Sequence, residues 1–163
     1  MPTKEQQPRP TVGAMAPPFR HILVSLDGSE LAAAALRPAV GIAGVSGAEV
    51  TLLMVIPPIE DALEAPGETI SIDAQWETRR ERARDYLTAL CRRPEWEGVR
   101  FTVDVAMGPV AETILDYARD HAVDLIVITT HGRSGVRRWV WGSVAEKVLR
   151  ATTTTVLLVR SGV

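Results

Sequence analysis

"VDLIVITTHGRSGVRRWVWGSVAEKVLRATTTTVLLVR", residues 123–160, decides the fold. It opens on a continuous apolar run, 123–129, without in-out alternation, as expected of a strand covered on both faces of a parallel sheet. It closes on a second apolar run, 154–160. Residues 143–150 between them carry helical spacing, so the stretch reads as strand, loop, helix and strand. A helix that returns the chain to a parallel neighbour is a right-handed crossover.

The same alternation extends towards the amino terminus. "HILVSL" (21–26) and "EVTLLMVI" (49–56) read as buried strands, and "RFTVDVAM" (100–107) alternates as an edge strand does. Residues 29–43 put Leu31, Ala35, Ala39 and Ile42 on one helical stripe, with Pro38 expected to kink or break it. Residues 69–93 form a long helix whose "ETRRERARD" run reads as a solvated face. Residues 109–121 open on Pro109 and line up Val110, Ile114, Leu115 and Ala118. Strands alternating with helices predict a three-layer α/β/α domain on a five-stranded parallel sheet, spanning 19–163. The proline-rich residues 1–18 read as a disordered tail and not as a signal peptide. Residues 57–68, "PPIEDALEAPGE", are a candidate lid or partner loop.

Composition narrows the partners. The chain has 163 residues, is 46% hydrophobic and carries a formal net charge of −2, so no overall field gathers nucleic acid or an anionic membrane. No window approaches the roughly 18 apolar residues of a membrane span. Cys91 is the only cysteine, which excludes an internal disulfide and a cysteine zinc site and points to the cytoplasm. It reads as a small apolar filler.

The chemistry gathers at strand ends. "SVAE" (143–146) has the form of a capping box, with Ser143 accepting from the backbone of Glu146, and Gly142 before it gives a ligand close access to backbone N–H groups. A helix start of this kind after a parallel strand favours a phosphate. Asp27, in "SLDGSE", stands where strand one ends, either as the N-cap of the next helix or as a ligand group. Phosphates would repel a bare carboxylate, so beside a nucleotide it would accept from ribose hydroxyls or hold a bridging cation. His21, His121 and His131 lack zinc spacing; His131 has no partner near it in sequence that would make a nucleophile pair, and His21 and His121 read as structural. Arg133, Arg137 and Arg138 either neutralise phosphates or keep the loop soluble, with Arg133 favoured because it follows Gly132. One of Trp139 and Trp141 is expected against the core and the other at a partner surface.

From "HILVSLDGSE" to "TTVLLVR" the chain resembles the universal stress protein family of the ATP-binding type. Nucleotide-binding members show Gly, two residues, Gly, nine residues, then Gly with Ser or Thr. Here the second Gly is Gly132, the nine residues run from Arg133 to Trp141, and the closing pair is Gly142 and Ser143. Thr129 replaces the first Gly, on the ribose side. Asp27 matches the acidic residue after strand one, and Val55 the apolar position against adenine. The resemblance implies a Rossmann-like sheet ordered 3-2-1-4-5, similar to adenine nucleotide α-hydrolases, with ATP held where strands one and four diverge, with or without Mg or Mn. It also implies a homodimer through the last strand, 154–160, whose flat apolar edge invites pairing. The function expected is a nucleotide-responsive binding module with an unidentified protein partner. The alternatives are a slow ATP hydrolase, for which only Asp27 offers equipment, and a dimeric scaffold without nucleotide, for which Thr129 speaks.

Overall fold

The computed structural model describes residues 18–58, 72–130 and 142–160. The expectations for the amino-terminal tail up to residue 17 and for the connection from residue 59 onward lie outside these residues, as do those for His131, Gly132, Arg133, Arg137, Arg138, Trp139 and Trp141.

Strand β1 (His21–Leu26) is the centre of the molecule. It pairs in parallel with β2 (Glu49–Ile56) on one side and with β4 (Leu125–Thr129) on the other. β3 (Arg100–Met107) lies outside β2 and β5 (Thr155–Val159) outside β4, which completes the order β3-β2-β1-β4-β5. Helices α1 (Glu30–Ala33), α2 (Leu36–Ser46) and α3 (Ile72–Cys91) cover one face. Helices α4 (Val110–Asp120) and α5 (Ser143–Ala151) cover the other. Successive residues of β1 serve opposite layers, Ile22 and Val24 facing the first and Leu23 the second. All three are fully buried, which is why the strand had to be continuously apolar.

The stripe expected over 29–43 is realised in two pieces. α1 stops after Ala33 and α2 starts at Leu36, where Ala35 donates to Ala32 at 3.0 Å, a tight three-residue turn. Pro38 causes the break. It has no N–H for the carbonyl of Ala34 four residues back, and its ring crowds that oxygen. Ala35 and Ala39 still reach the core, fully buried.

The described histidines are structural. His21 donates through Nδ1 to the carbonyl of His121 at 3.0 Å and lies 2.8 Å through Nε2 from Thr51 Oγ1. His121 stacks on Tyr117, with ring centroids 3.9 Å apart. Burial, reinforced by Asp104, pushes the Tyr117 phenol up to about 12. This cluster lies at the amino end of the sheet, away from the carboxyl ends of β1 and β4. Among the described residues no helix is long and apolar enough to cross a membrane.

Ile126 of β4 is fully buried, whereas Val45 of α2 is 92% exposed. Ile126→Ala is expected to lower unfolding free energy by about 2–5 kcal/mol, with Val45→Ala changing it by less than about 0.5 kcal/mol. Urea denaturation followed by circular dichroism checks both.

Candidate functional site

A cavity of about 560 Å³ opens at the carboxyl edge of the sheet, within the roughly 300–1,000 Å³ range of small-molecule sites. Its floor is the ends of β1, β2 and β4, contributed by Ser25, Leu26, Val55, Ile56, Ile128 and Thr129. One wall is the start of α5. The other belongs to α3, which packs on the opposite face of the sheet. Asp27 and Gly28 lie between the walls, on the turn out of β1.

Five residues singled out from the sequence meet here: Asp27, Val55, Thr129, Gly142 and Ser143 all line this cavity. Gly132 and Arg133 lie outside the described residues. Val55 is 7% exposed and packs in the layer beneath α4 and α5. Thr129 ends β4 in register with Val159 and is 6% exposed.

Two local details differ from the sequence reading. The N-cap of α5 is Gly142, and Ser143 is its first helical residue with no capping bond. Glu146 turns its carboxylate towards Arg150, whose Nε donates at 3.0 Å, so no capping box forms. An i,i+4 ion pair outcompetes the reach back to the helix start, because Arg150 sits one turn away on the same face. The second detail concerns Asp27, which is not the N-cap of α1. Ser29 is, accepting from the Ala32 amide at 3.1 Å, while Asp27 Oδ1 accepts from the Ser29 amide at 2.9 Å and its hydroxyl at 2.6 Å. Gly28 makes the turn with φ 85, where a side chain would be strained.

The donors at α5 are arranged differently from a glycine cradle. Gly142 spends its own N–H on the carbonyl of Thr130 at 2.6 Å, and its carbonyl accepts from Glu146 at 3.0 Å. Among the described residues no group accepts from the amides of Ser143, Val144 or Ala145. Those three residues line the cavity, so it receives the positive end of α5 together with first-turn amides that have no acceptor among the described residues.

Sequence reasoning missed the α3 wall. Arg79, Arg82, Ala83 and Tyr86 line the cavity, although the surrounding charge run reads as solvated. The available signal was their spacing, i, i+3, i+4 and i+7, on the stripe that also carries Leu87 and Leu90. Burial pushes the Tyr86 phenol above its ordinary value, with Arg93 opposing and Asp27 and Glu30 adding to the rise.

The model of the universal stress protein family matches residues 18–160. Universal stress protein YxiE of Bacillus subtilis is 32% identical over 147 residues, covering 87% of this chain and 99% of its own length. The solved structure of MJ0577 from Methanocaldococcus jannaschii is 26% identical, with a TM-score of 0.75 over 88% of this chain and 97% of its own. That of UspA from Lactobacillus plantarum is 27% identical, with a TM-score of 0.69 over 87% and 98%. With a family model over nearly all of the described sheet and a curated relative matched almost end to end, this chain belongs to the universal stress protein family.

Proposed function

We propose that this protein is an ATP-binding module whose occupancy by nucleotide, and not turnover, is its output. The observation that carries the reading is the first turn of α5 lining a crevice opposite the Asp27 turn, its amides without an acceptor among the described residues. A phosphate chain supplies acceptors for the amides of Ser143, Val144 and Ala145, and the helix dipole favours its charge. Asp27 suits the ribose hydroxyls or a Mg or Mn ion bridging the phosphates. Val55 and its neighbours offer the apolar floor that a base requires. Gly132 and Arg133, which lie outside the described residues, are assigned to the phosphates by the motif that closes on Gly142 and Ser143, and Thr129 to the sugar. The working location is the cytosol, and a protein partner reads the loaded state.

Catalysis lacks support in the side chains at hand. Phosphoryl transfer needs a group that orients the attacking nucleophile as well as charge stabilisation. Among the described residues Asp27 is the one carboxylate on the cavity, and its Oδ1 is committed to holding Ser29.

The reading extends to a homodimer through 154–160. β5 pairs with β4 on one side only, and Val156, Leu157, Leu158 and Val159 are half-buried where the matching residues of β4 are buried. A second copy would cover this edge.

Titration calorimetry should show MgATP binding that is abolished by Gly142→Val. Gly142 has φ −54 and ψ 141, a conformation valine adopts, so the variant folds while its branched side chain invades the approach to the α5 amides. Unchanged affinity in the folded variant overturns the site. Single-turnover assays with Mg or Mn should show little hydrolysis, and turnover on the order of 1 per second that Gly142→Val abolishes overturns the binding-module reading in favour of an ATPase.

Light scattering at tens of micromolar, roughly the range suited to a weak-to-moderate association, should report a dimer. A monomer at that concentration overturns the β5 interface.

A further inference from the structure

The α3 wall of the cavity assigns a role beyond phosphate binding. Arg79, half-buried, sits on the stripe that continues through Ala83 and Leu87 into the core, where both of the latter are buried, and the exposed Arg82 flanks it at the cavity mouth. A helix that only had to cover the sheet would carry apolar residues along this whole stripe. Two arginines at its cavity end break that pattern at a concave site, as functional positions do. Their neighbour Arg80 is engaged elsewhere, 3.6 Å from Glu77. Among the described residues neither Arg79 nor Arg82 forms an ion pair, and Arg79 makes one long contact of 3.5 Å to the carbonyl of Pro57, just past β2.

Position tells which part of a nucleotide these arginines meet. α5 and α3 pack on opposite faces of the sheet, so a ligand whose phosphates lie on α5 extends across the end of β1 towards β2 and α3. The surface it crosses is made by Met54, Val55 and Ile56, an apolar floor that suits a flat base and not an anion. A guanidinium is planar, stacks on π-systems and donates in a fixed fork, and a purine offers both an electron-rich face and ring-nitrogen acceptors. The half-buried Tyr86 adds an aromatic edge to the same wall.

We propose that Arg79 and Arg82 recognise the purine base, stacking on it and donating to it while the start of α5 holds the phosphates. This rests on the nucleotide reading above.

The test compares MgATP with magnesium tripolyphosphate, which keeps the phosphate chain and lacks the base, on the full chain by titration calorimetry. The double variant Arg79→Ala/Arg82→Ala keeps good helix formers and should remain folded by circular dichroism. It is expected to bind MgATP about tenfold more weakly and tripolyphosphate unchanged. Arg79→Lys/Arg82→Lys, which keeps charge without the plane, should restore only part of the MgATP affinity. Equal loss for both ligands would place the arginines on the phosphates and overturn the proposal. So would loss for neither, or full recovery by lysine. In those cases the nucleotide reading stands as long as Gly142→Val still abolishes MgATP binding. Wild-type protein that binds neither ligand overturns both, and wild-type binding of MgATP without tripolyphosphate removes the division of labour on which the proposal stands.

Discussion

Right-handed crossovers limit what this sheet can hold. The chain that leaves β1 must pass over the face carrying α1, α2 and α3, and the chain that leaves β4 must pass over the face carrying α5. β1 and β4 are hydrogen-bonded neighbours, so their outgoing connections part from adjacent points and leave the carboxyl edge open between them. No side chain has to create this crevice. It is the residue of a topology in which β2 and β5 lie on opposite sides of the β1-β4 pair.

The core then pins the crevice walls. Ile22, Val24 and Leu52 hold one layer and Leu23, Ile126 and Ile114 the other, each fully buried and each contributing about 1.5–3 kcal/mol from the area removed from water. Stability gathered in the middle of the sheet lets its edge carry groups that a minimal fold would not keep. These include the α5 amides that have no acceptor among the described residues, a left-handed Gly28 and Arg79 on a packing stripe.

The strands 21–26 and 49–56 were legible because burial on both faces demands uninterrupted apolar residues, and 100–107 because an edge strand alternates; all three are strands over those same residues. The fourth strand begins at Leu125 and not at 123. Asp124 donates its amide to the carbonyl of His21 at 3.1 Å and accepts through its carboxylate from the amides of Arg20 and His21, at 2.8 and 3.3 Å, and so ties the entry of β4 to that of β1. Such a contact spans more than a hundred residues and has no local signature. The helix over 29–43 was legible as a stripe, and Pro38 as its interruption, but the split one turn upstream depends on where the proline ring meets a carbonyl. The sheet order came through family resemblance, since strand patterns alone do not order five strands. Asp27, Val55, Thr129, Gly142 and Ser143 converge because all of them stand at or just beyond strand ends. Arg79 and Arg82 escaped for the opposite reason: a charge run on a helix is ordinarily solvated, and only the position of α3 over the end of β2 brings the half-buried Arg79 and the exposed Arg82 to the cavity.

The start of α5 shows how a familiar sequence signature can carry a different physical meaning. A Ser-x-x-Glu box closes a helix by answering its own orphan amides, and a closed helix start has little left for a ligand. In this chain Glu146 is drawn off by Arg150, Ser143 sits one position too far into the helix to cap it, and Gly142 ties itself back to Thr130. Among the described residues the amides of Ser143 to Ala145 have no acceptor, and the Gly142 bond to Thr130 fixes where they stand relative to the end of β4. Ser143 is exposed and Val144 half-buried, so solvent reaches this helix start, and an anion bound there would take the place of water. The same feature that weakens α5 as an isolated helix supports the proposed reading, in which a bound phosphate would return the missing stabilisation and make occupancy something the fold responds to.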